Sequence, residues 1–263
     1  MPDWIAVVIL GIIEGITEFL PISSTGHLLL SEHVLHLKQS DLFNVVIQCG
    51  AVIAVLPLFP ERLRQFAFEW RVPATQAYAL KILTAFGLTG IGGLLLEKNH
   101  FKLPEQLLPV AVALLVGGVL FVAVERWLRG KPLANDVTWT IALVVGVGQL
   151  LAAIFPGASR SGTTILLSLL LGLNRPVATE FSFLVGIPTM LAASGLKIFK
   201  ALHSSAGTTS ENWWLLLLGA AIAAIVSFIA VKWLLRYVQT HTFVAFGWYR
   251  ILLGTVILLL LLY

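Results

Sequence analysis

Glu14 and Glu18 stand four residues apart, and Ser23, Ser24 and His27 follow closely, all within a strongly apolar stretch. That spacing puts the two glutamates on one helix face, with Gly11 beside them. Two carboxylates at membrane depth repel each other and are costly to desolvate. A proton, a basic side chain or a metal ion must neutralise them. Pro21 ends their helix near Leu20, because the residue before a proline is pushed out of the α region. Ser23 and Ser24 then fall where an N-cap belongs. A second helix starts at Thr25-Gly26-His27, and its free N–H groups and dipole form an anion site. Ser24 and His27, three apart, can face the same way. Capping alone would account for the serines, a simple hydrogen bond for the histidine, and a proton or cation relay for the glutamates. Their joint occurrence within 14 residues points instead to chemistry on an anion.

A second polar island, Pro156-Gly157-Ala158-Ser159-Arg160-Ser161-Gly162, has no carboxylate but supplies a guanidinium. Arginine presents a fork that matches phosphate oxygens bidentately. If the two islands meet tip to tip, Arg160 approaches Ser24 and His27. The structural role open to Arg160 is an ion pair with Glu14 or Glu18. Ser159, Ser161 and Thr164 line the same pocket or cap the helix. Asn44 and Gln48, one turn apart, are expected to bridge helices rather than touch a ligand. Arg250 lies inside an apolar run and needs a partner, for which Glu180 is the candidate. His33, His36, His100, His203 and His241 lack ligand spacing and read as surface residues.

The elements that must hold these groups are membrane helices. The chain has 263 residues, 58% hydrophobic and only 11% charged, with a mean hydropathy of +0.94. Soluble domains carry about a quarter charged residues. The net charge of +4 comes from scattered basic residues, which fits membrane-flanking loops and not a nucleic-acid stripe. The single cysteine, Cys49, excludes an intrachain disulfide framework. Asp3 stands where a signal peptide is basic, and Glu14 and Glu18 interrupt the apolar run, so the first segment is expected to remain in the mature protein. Full spans are expected near 42–59, 78–97, 107–128, 178–199, 213–236 and 243–263. Residues 4–35 and 139–172 are each broken midway by the polar islands and read as re-entrant hairpins.

The two halves match weakly at an offset of 135 residues: Gly11 with Gly146, Glu14 with Gln149, Pro21 with Pro156, Ser24 with Ser159. Each half holds one hairpin and three spans. Three is odd, so the halves are antiparallel. The expected fold is an all-α polytopic membrane protein with an inverted-topology repeat, six transmembrane helices and two re-entrant hairpins, the repeats covering 1–130 and 131–263. The basic residues Arg62, Arg64, Arg71, Lys81, Arg126, Arg129, Lys131, Lys232 and Arg236 fall on one side. Lys98, Lys102, Lys197 and Lys200 fall on the other. That bias puts both termini outside, with hairpin one entering from outside. Trp213 and Trp214 suit an interfacial belt.

The run from Glu14 to His27, EGITEFLPISSTGH, resembles the signature of bacterial undecaprenyl-diphosphate phosphatases of the bacitracin-resistance type, distinct from PAP2-type lipid phosphatases. Pro156 to Thr164 and Glu180-Phe181-Ser182-Phe183-Leu184 match the same family. The resemblance covers essentially the whole chain. One departure is Thr163, where a small residue such as alanine is expected. The resemblance implies hydrolysis of undecaprenyl diphosphate to the monophosphate and inorganic phosphate, recycling the lipid carrier of peptidoglycan synthesis and conferring bacitracin resistance. It implies a bacterial inner-membrane enzyme and a divalent cation, Mg²⁺ or Ca²⁺, while the orientation read from the basic residues is expected to place the reacting diphosphate toward the external leaflet. It implies Ser24, His27, Glu18 and Arg160 as catalytic residues and Glu14 and Glu18 as metal ligands. Ser23, Thr25, Gly26, Ser159, Ser161 and Thr164 are then expected around the substrate. The partners are a polyprenyl diphosphate lipid and the bilayer, with a homodimer left open and no nucleic acid.

The attacking atom stays open at this level: Ser24, His27 or a metal-activated water. The proton acceptor is His27 or Glu18. The rival function is an inverted-repeat transporter or lipid flippase, which shares broken helices and midplane charges. A carrier needs no nucleophile, so the Ser24, His27 and Arg160 set favours the enzyme.

Overall fold

Helices begin where the sequence supplies a cap or a proline. Ser40 accepts from the Phe43 N–H at 3.1 Å, Thr138 from Ile141 at 3.2 Å and Asn212 from Trp214 at 3.1 Å. Pro60 and Pro73 occupy first turns, where a missing N–H costs nothing. The structure, a computed structural model, describes residues 2–35, 40–99, 106–203 and 212–262. Among these residues there are eleven α-helices and no strand. Hairpin one is α1 (Asp3–Thr17) and α2 (Ser24–Leu35). Next come α3 (Asp41–Val55, extended by a 3₁₀ turn to Leu58), the short α4 (Pro60–Phe68), α5 (Pro73–Lys98) and α6 (Leu107–Trp127). Hairpin two is α7 (Trp139–Ile154) and α8 (Arg160–Leu170), followed by α9 (Arg175–His203), α10 (Trp213–Tyr237) and α11 (Val244–Leu262).

Six helical stretches are long and apolar enough to cross a membrane: Asp41–Leu58, Pro73–Lys98, Leu107–Trp127, Arg175–Lys200, Trp213–Tyr237 and Val244–Leu262. They coincide with the six expected spans. The largest shift is at α5, which starts five residues early because Pro73 is a better first residue than the sequence after it. The hairpin arms have 15, 12, 16 and 11 residues. At about 1.5 Å per residue none matches a hydrocarbon core of about 30 Å. Each pair of arms therefore enters and returns. Leu217, Ile225 and Leu252 are 61%, 63% and 64% exposed, a surface that only lipid can cover.

The halves interlock. Helices α1 and α3 pack on α10, and α7 and α9 pack on α5, while α6 lies along α11. Exchanging the halves reproduces these pairings. Gly11 and Gly146 do the same job in the two halves. A methyl on Gly11 would sit 2.9 Å from the Gly219 carbonyl oxygen, and one on Gly146 would sit 2.9 Å from that of Ala85. Small residues at these crossings let backbones touch where lipid gives no hydrophobic drive. The largest buried apolar cluster joins Phe19, Leu20 and Ile22 of the first tip to Ile165, Leu166 and Phe183 of the second half. It fixes the tips from behind. His36, His100 and Lys102 lie outside the described residues.

Candidate active site

The two polar tips meet. Ser161 Oγ donates to the Leu20 carbonyl oxygen at 3.1 Å, and Arg250 donates to carbonyl oxygens of Pro21, Gly157 and Ala158. At both tips one serine is held in the left-handed region: Ser23 has φ 74° and Ser159 φ 69°. A non-glycine residue there stores strain that the surroundings must hold. Each hydroxyl caps the helix it starts, accepting from Gly26 N–H at 3.2 Å and Gly162 N–H at 3.1 Å. The counterpart of Ser159 is thus Ser23, not Ser24. The second tip holds one residue more between Gln149 and Ser159 than the first holds between Glu14 and Ser23.

With Ser23 used as the cap, Ser24 is released. Its hydroxyl donates to Glu18 Oε2 at 2.6 Å. The other oxygen, Oε1, accepts from Arg160 Nη2 at 3.4 Å. Gln48 reaches Glu18 Oε2 at 3.5 Å. It bridges helices as expected, but it also lines the pocket. Arg160 lies over the Phe19 ring, 5.6 Å from its centre. Gly186 of α9 makes the room, since a Cβ there would stand 1.6 Å from Arg160 Nη1. The guanidinium is not saturated by Glu18: Nε and Nη1 have no protein partner.

These groups form the floor of a cavity of about 650 Å³. Glu18, Ser23, Ser24, Thr25, Ser159 and Arg160 contribute polar atoms, and Gln48, Thr89, Gln149 and Thr189 extend them. The walls are apolar or small: Phe86, Gly90, Gly93 and Leu94 of α5, Leu150 and Ala153 of α7, Met190, Ala193 and Leu196 of α9. A Cβ on Gly90 or Gly93 would meet nothing within 4 Å. Glu97 of α5 and Lys200 of α9 form an ion pair at the rim, beside Lys197. Neither Glu14 nor His27 is among the described residues that line this space.

Glu14 is 1% exposed and its Oε2 lacks a partner. Among the described residues no group of three or more His, Cys, Asp or Glu side chains could hold a metal ion. His27 turns away from the floor. Its Nδ1 is 2.7 Å from the Ser23 carbonyl oxygen and its Nε2 2.7 Å from the Tyr249 hydroxyl. Gly26 is buried in the first turn of α2. Ser161 and Thr164 are fully buried. Thr164 Oγ1 donates to the Arg160 carbonyl oxygen at 2.8 Å and shares a 2.5 Å hydrogen bond with Ser182.

Arg250 does not pair with Glu180. Glu180 instead accepts from Arg62 Nε at 2.7 Å and from the Tyr78 hydroxyl at 3.2 Å, joining α9 to α4 and α5. Sequence periodicity carries no information on such pairings between distant helices. Three polar features lie outside the sequence-based reading. The buried Glu125 accepts from Arg175 at 2.5 to 3.1 Å and from the Phe243 N–H at 2.9 Å. Gln149 donates to Thr89 at 2.8 Å. The Glu97–Lys200 pair marks the rim. A carboxylate inside the apolar run of α6 was the available signal for Glu125.

Fold and floor together define a class: a polytopic membrane protein with a polar pocket between two re-entrant tips and an apolar wall above it. The chain belongs to the family described as Bacitracin resistance protein BacA, whose profile matches residues 7–256. A relative from Rhizobium etli named undecaprenyl-diphosphatase is 48% identical over 257 residues, covering 97% of this chain and 96% of the relative. One from Xanthomonas euvesicatoria pv. vesicatoria with the same name is 45% identical over 260 residues, covering 98% and 97%.

Proposed function

We propose that the chain hydrolyses undecaprenyl diphosphate to undecaprenyl phosphate and inorganic phosphate. Its relatives carry that activity in their names. The observation that carries the reading is the triad on the floor: Ser24 donates to one Glu18 oxygen at 2.6 Å while Arg160 holds the other at 3.4 Å. A hydroxyl, its proton acceptor and a phosphate-matching cation stand together at the base of a lipid-compatible cavity.

Ser24 Oγ attacks the terminal phosphorus and gives its proton to Glu18. The bond from that phosphorus to the bridging oxygen breaks, and the lipid monophosphate leaves. Arg160 and the N–H groups of the second arm's first turn take the charge that spreads over the equatorial oxygens. Glu18 passes the Ser24 proton to the departing bridging oxygen and is a carboxylate again. Water then attacks the phosphoserine, and Glu18 takes a proton from it and returns it to the Ser24 oxygen as the phosphorus–oxygen bond breaks, so that Ser24 and phosphate are regenerated. Glu18 is favoured over His27 as the base, because both ring nitrogens of His27 already have partners.

Glu14 and Glu18 suit a hard divalent cation that arrives with the diphosphate. Such ions are held by one or two carboxylates plus phosphate and water oxygens; Glu18 lines the cavity, and the unpartnered oxygen of Glu14, buried outside it, would join only by turning toward the cavity. When bound, Mg²⁺ or Ca²⁺ would neutralise the acid pair and polarise the phosphoryl oxygens.

The prenyl tail follows the α5–α7–α9 wall into the bilayer, past Gly90 and Gly93. The charge bias of the loops supports a pocket that opens on the external side of a bacterial inner membrane. The product monophosphate re-enters the carrier cycle of envelope synthesis, which is the source of bacitracin resistance. Phosphate release by detergent-purified protein, with no membrane gradient, tests the reading. A transporter or flippase would release none.

A further inference from the structure

Tyr249 and Arg250 are consecutive on α11 and touch the framework of the pocket without lining its cavity. His27 Nδ1 lies 2.7 Å from the Ser23 carbonyl oxygen, which can only accept, so Nδ1 carries the proton. Nε2 is therefore the acceptor, and the Tyr249 hydroxyl donates to it at 2.7 Å. The two ring planes are parallel within 1° and their centres 5.7 Å apart, so the rings meet edge to edge through this hydrogen bond. A chain of contacts thus runs from Tyr249 through the imidazole to Ser23, the residue at φ 74° that starts the second arm.

Arg250 is fully buried. Its Nη1 donates to the Pro21 carbonyl oxygen of the first tip at 3.2 Å. Its Nη2 is shared among Gly157 and Ala158 of the second tip at 3.2 and 3.0 Å, and Ala113 of α6 at 3.2 Å. Methyls on Gly117 and Gly162 would come within 2.2 and 2.9 Å of this guanidinium, so the chain keeps space for it. A desolvated cation bound to backbone carbonyls of two separate tips fixes their separation. Glu18 and Ser24 belong to one tip and Arg160 to the other.

We infer that Tyr249 and Arg250 are positioning residues that set the two tips in register and so hold Arg160 against the Glu18–Ser24 pair. The catalytic consequence rests on the phosphatase reading, whereas the register itself does not. The contacts make the two residues unequal: Tyr249 reaches only the first tip, Arg250 both.

Amide hydrogen exchange on the purified full chain reads the register. Tyr249→Phe keeps the ring and removes one oxygen. It should speed exchange at His27, bonded to Ser23, by about tenfold or more and leave Ala158 and Thr163 unchanged. Arg250→Lys should speed exchange at Ile22, Ala158 and Thr163 together. Unchanged tips in both variants, or an even rise across all helices, would overturn the inference. Should Arg250→Lys not fold, Gly117→Ala, whose methyl would crowd Nη2 at 2.2 Å, takes its place and should likewise speed exchange at both tips. In turnover, Arg250→Lys should lower kcat about tenfold or more with KM within about twofold, and its loss should not multiply with that of Arg160→Lys. Multiplying losses would contradict it. If the wild-type chain releases no phosphate, the phosphatase reading falls and the exchange result still judges the register.

Discussion

Ser23 and Ser24 are adjacent and chemically identical, yet one caps a helix and the other faces a carboxylate. Spacing in the sequence assigned both to the cap, because either hydroxyl can reach the N–H three residues on. The left-handed φ of Ser23 decides the matter, and nothing in the amino-acid order reveals it. The orientation of His27 is likewise absent from the amino-acid order. Its place three residues after Ser24 was legible, but its turn toward Tyr249, 222 positions away, was not. Glu18, Ser24 and Arg160 were read together and lie together. At this scale, Arg160→Lys should cost nearly as much turnover as Arg160→Ala, about a hundredfold or more, because an ammonium cannot reproduce the fork. Initial rates with the diphosphate lipid check this, and full activity in the lysine variant would refute the bidentate role. Chelation should abolish turnover reversibly, with Mg²⁺ or Ca²⁺ restoring it, if Glu14 and Glu18 share a cation with the substrate.

Elements were the most legible part. Apolar run length announced the six spans and Pro21 and Pro156 the broken tips, whereas run length placed the start of α5 five residues after Pro73. What the sequence does not convey is which helix faces form the cavity. Gly90 and Gly93 read as ordinary small residues of α5, since their value lies in open space beside α7 and α9. Gly93→Trp should fill that wall. A rise in KM of about tenfold or more is expected for the long-chain lipid, with a much smaller change for a short-chain soluble diphosphate. Equal effects on both substrates would exclude this wall as the tail path. The rim pair of Glu97 and Lys200 joins helices far apart in sequence, which is why periodicity missed it.

At the scale of the molecule, the sequence shows a weak match between the halves at constant offset, and α1 and α3 pair with α10 as α7 and α9 do with α5. Its functional asymmetry was visible too: carboxylates in the first half, the guanidinium in the second. Arg250, which spans both tips from the last helix, was noticed only as a buried charge in need of a partner. The arrangement carries a sidedness. Lys197→Cys at the rim should react with an impermeant thiol reagent added to intact cells in a Cys49→Ala background. Modification only in inside-out vesicles would reverse the orientation.

The claim at the centre is that the terminal phosphate is taken up by Ser24 on a floor shared with Glu18 and Arg160. Single-turnover trapping measures it directly. Purified protein is mixed with diphosphate lipid carrying a labelled terminal phosphate, quenched in milliseconds to seconds, and mapped by mass spectrometry. The expected result is a phosphoryl group on Ser24 that forms and decays at the rate of phosphate release, and that vanishes together with turnover in Ser24→Ala. A label on His27, or undiminished phosphate release by Ser24→Ala, would contradict the account.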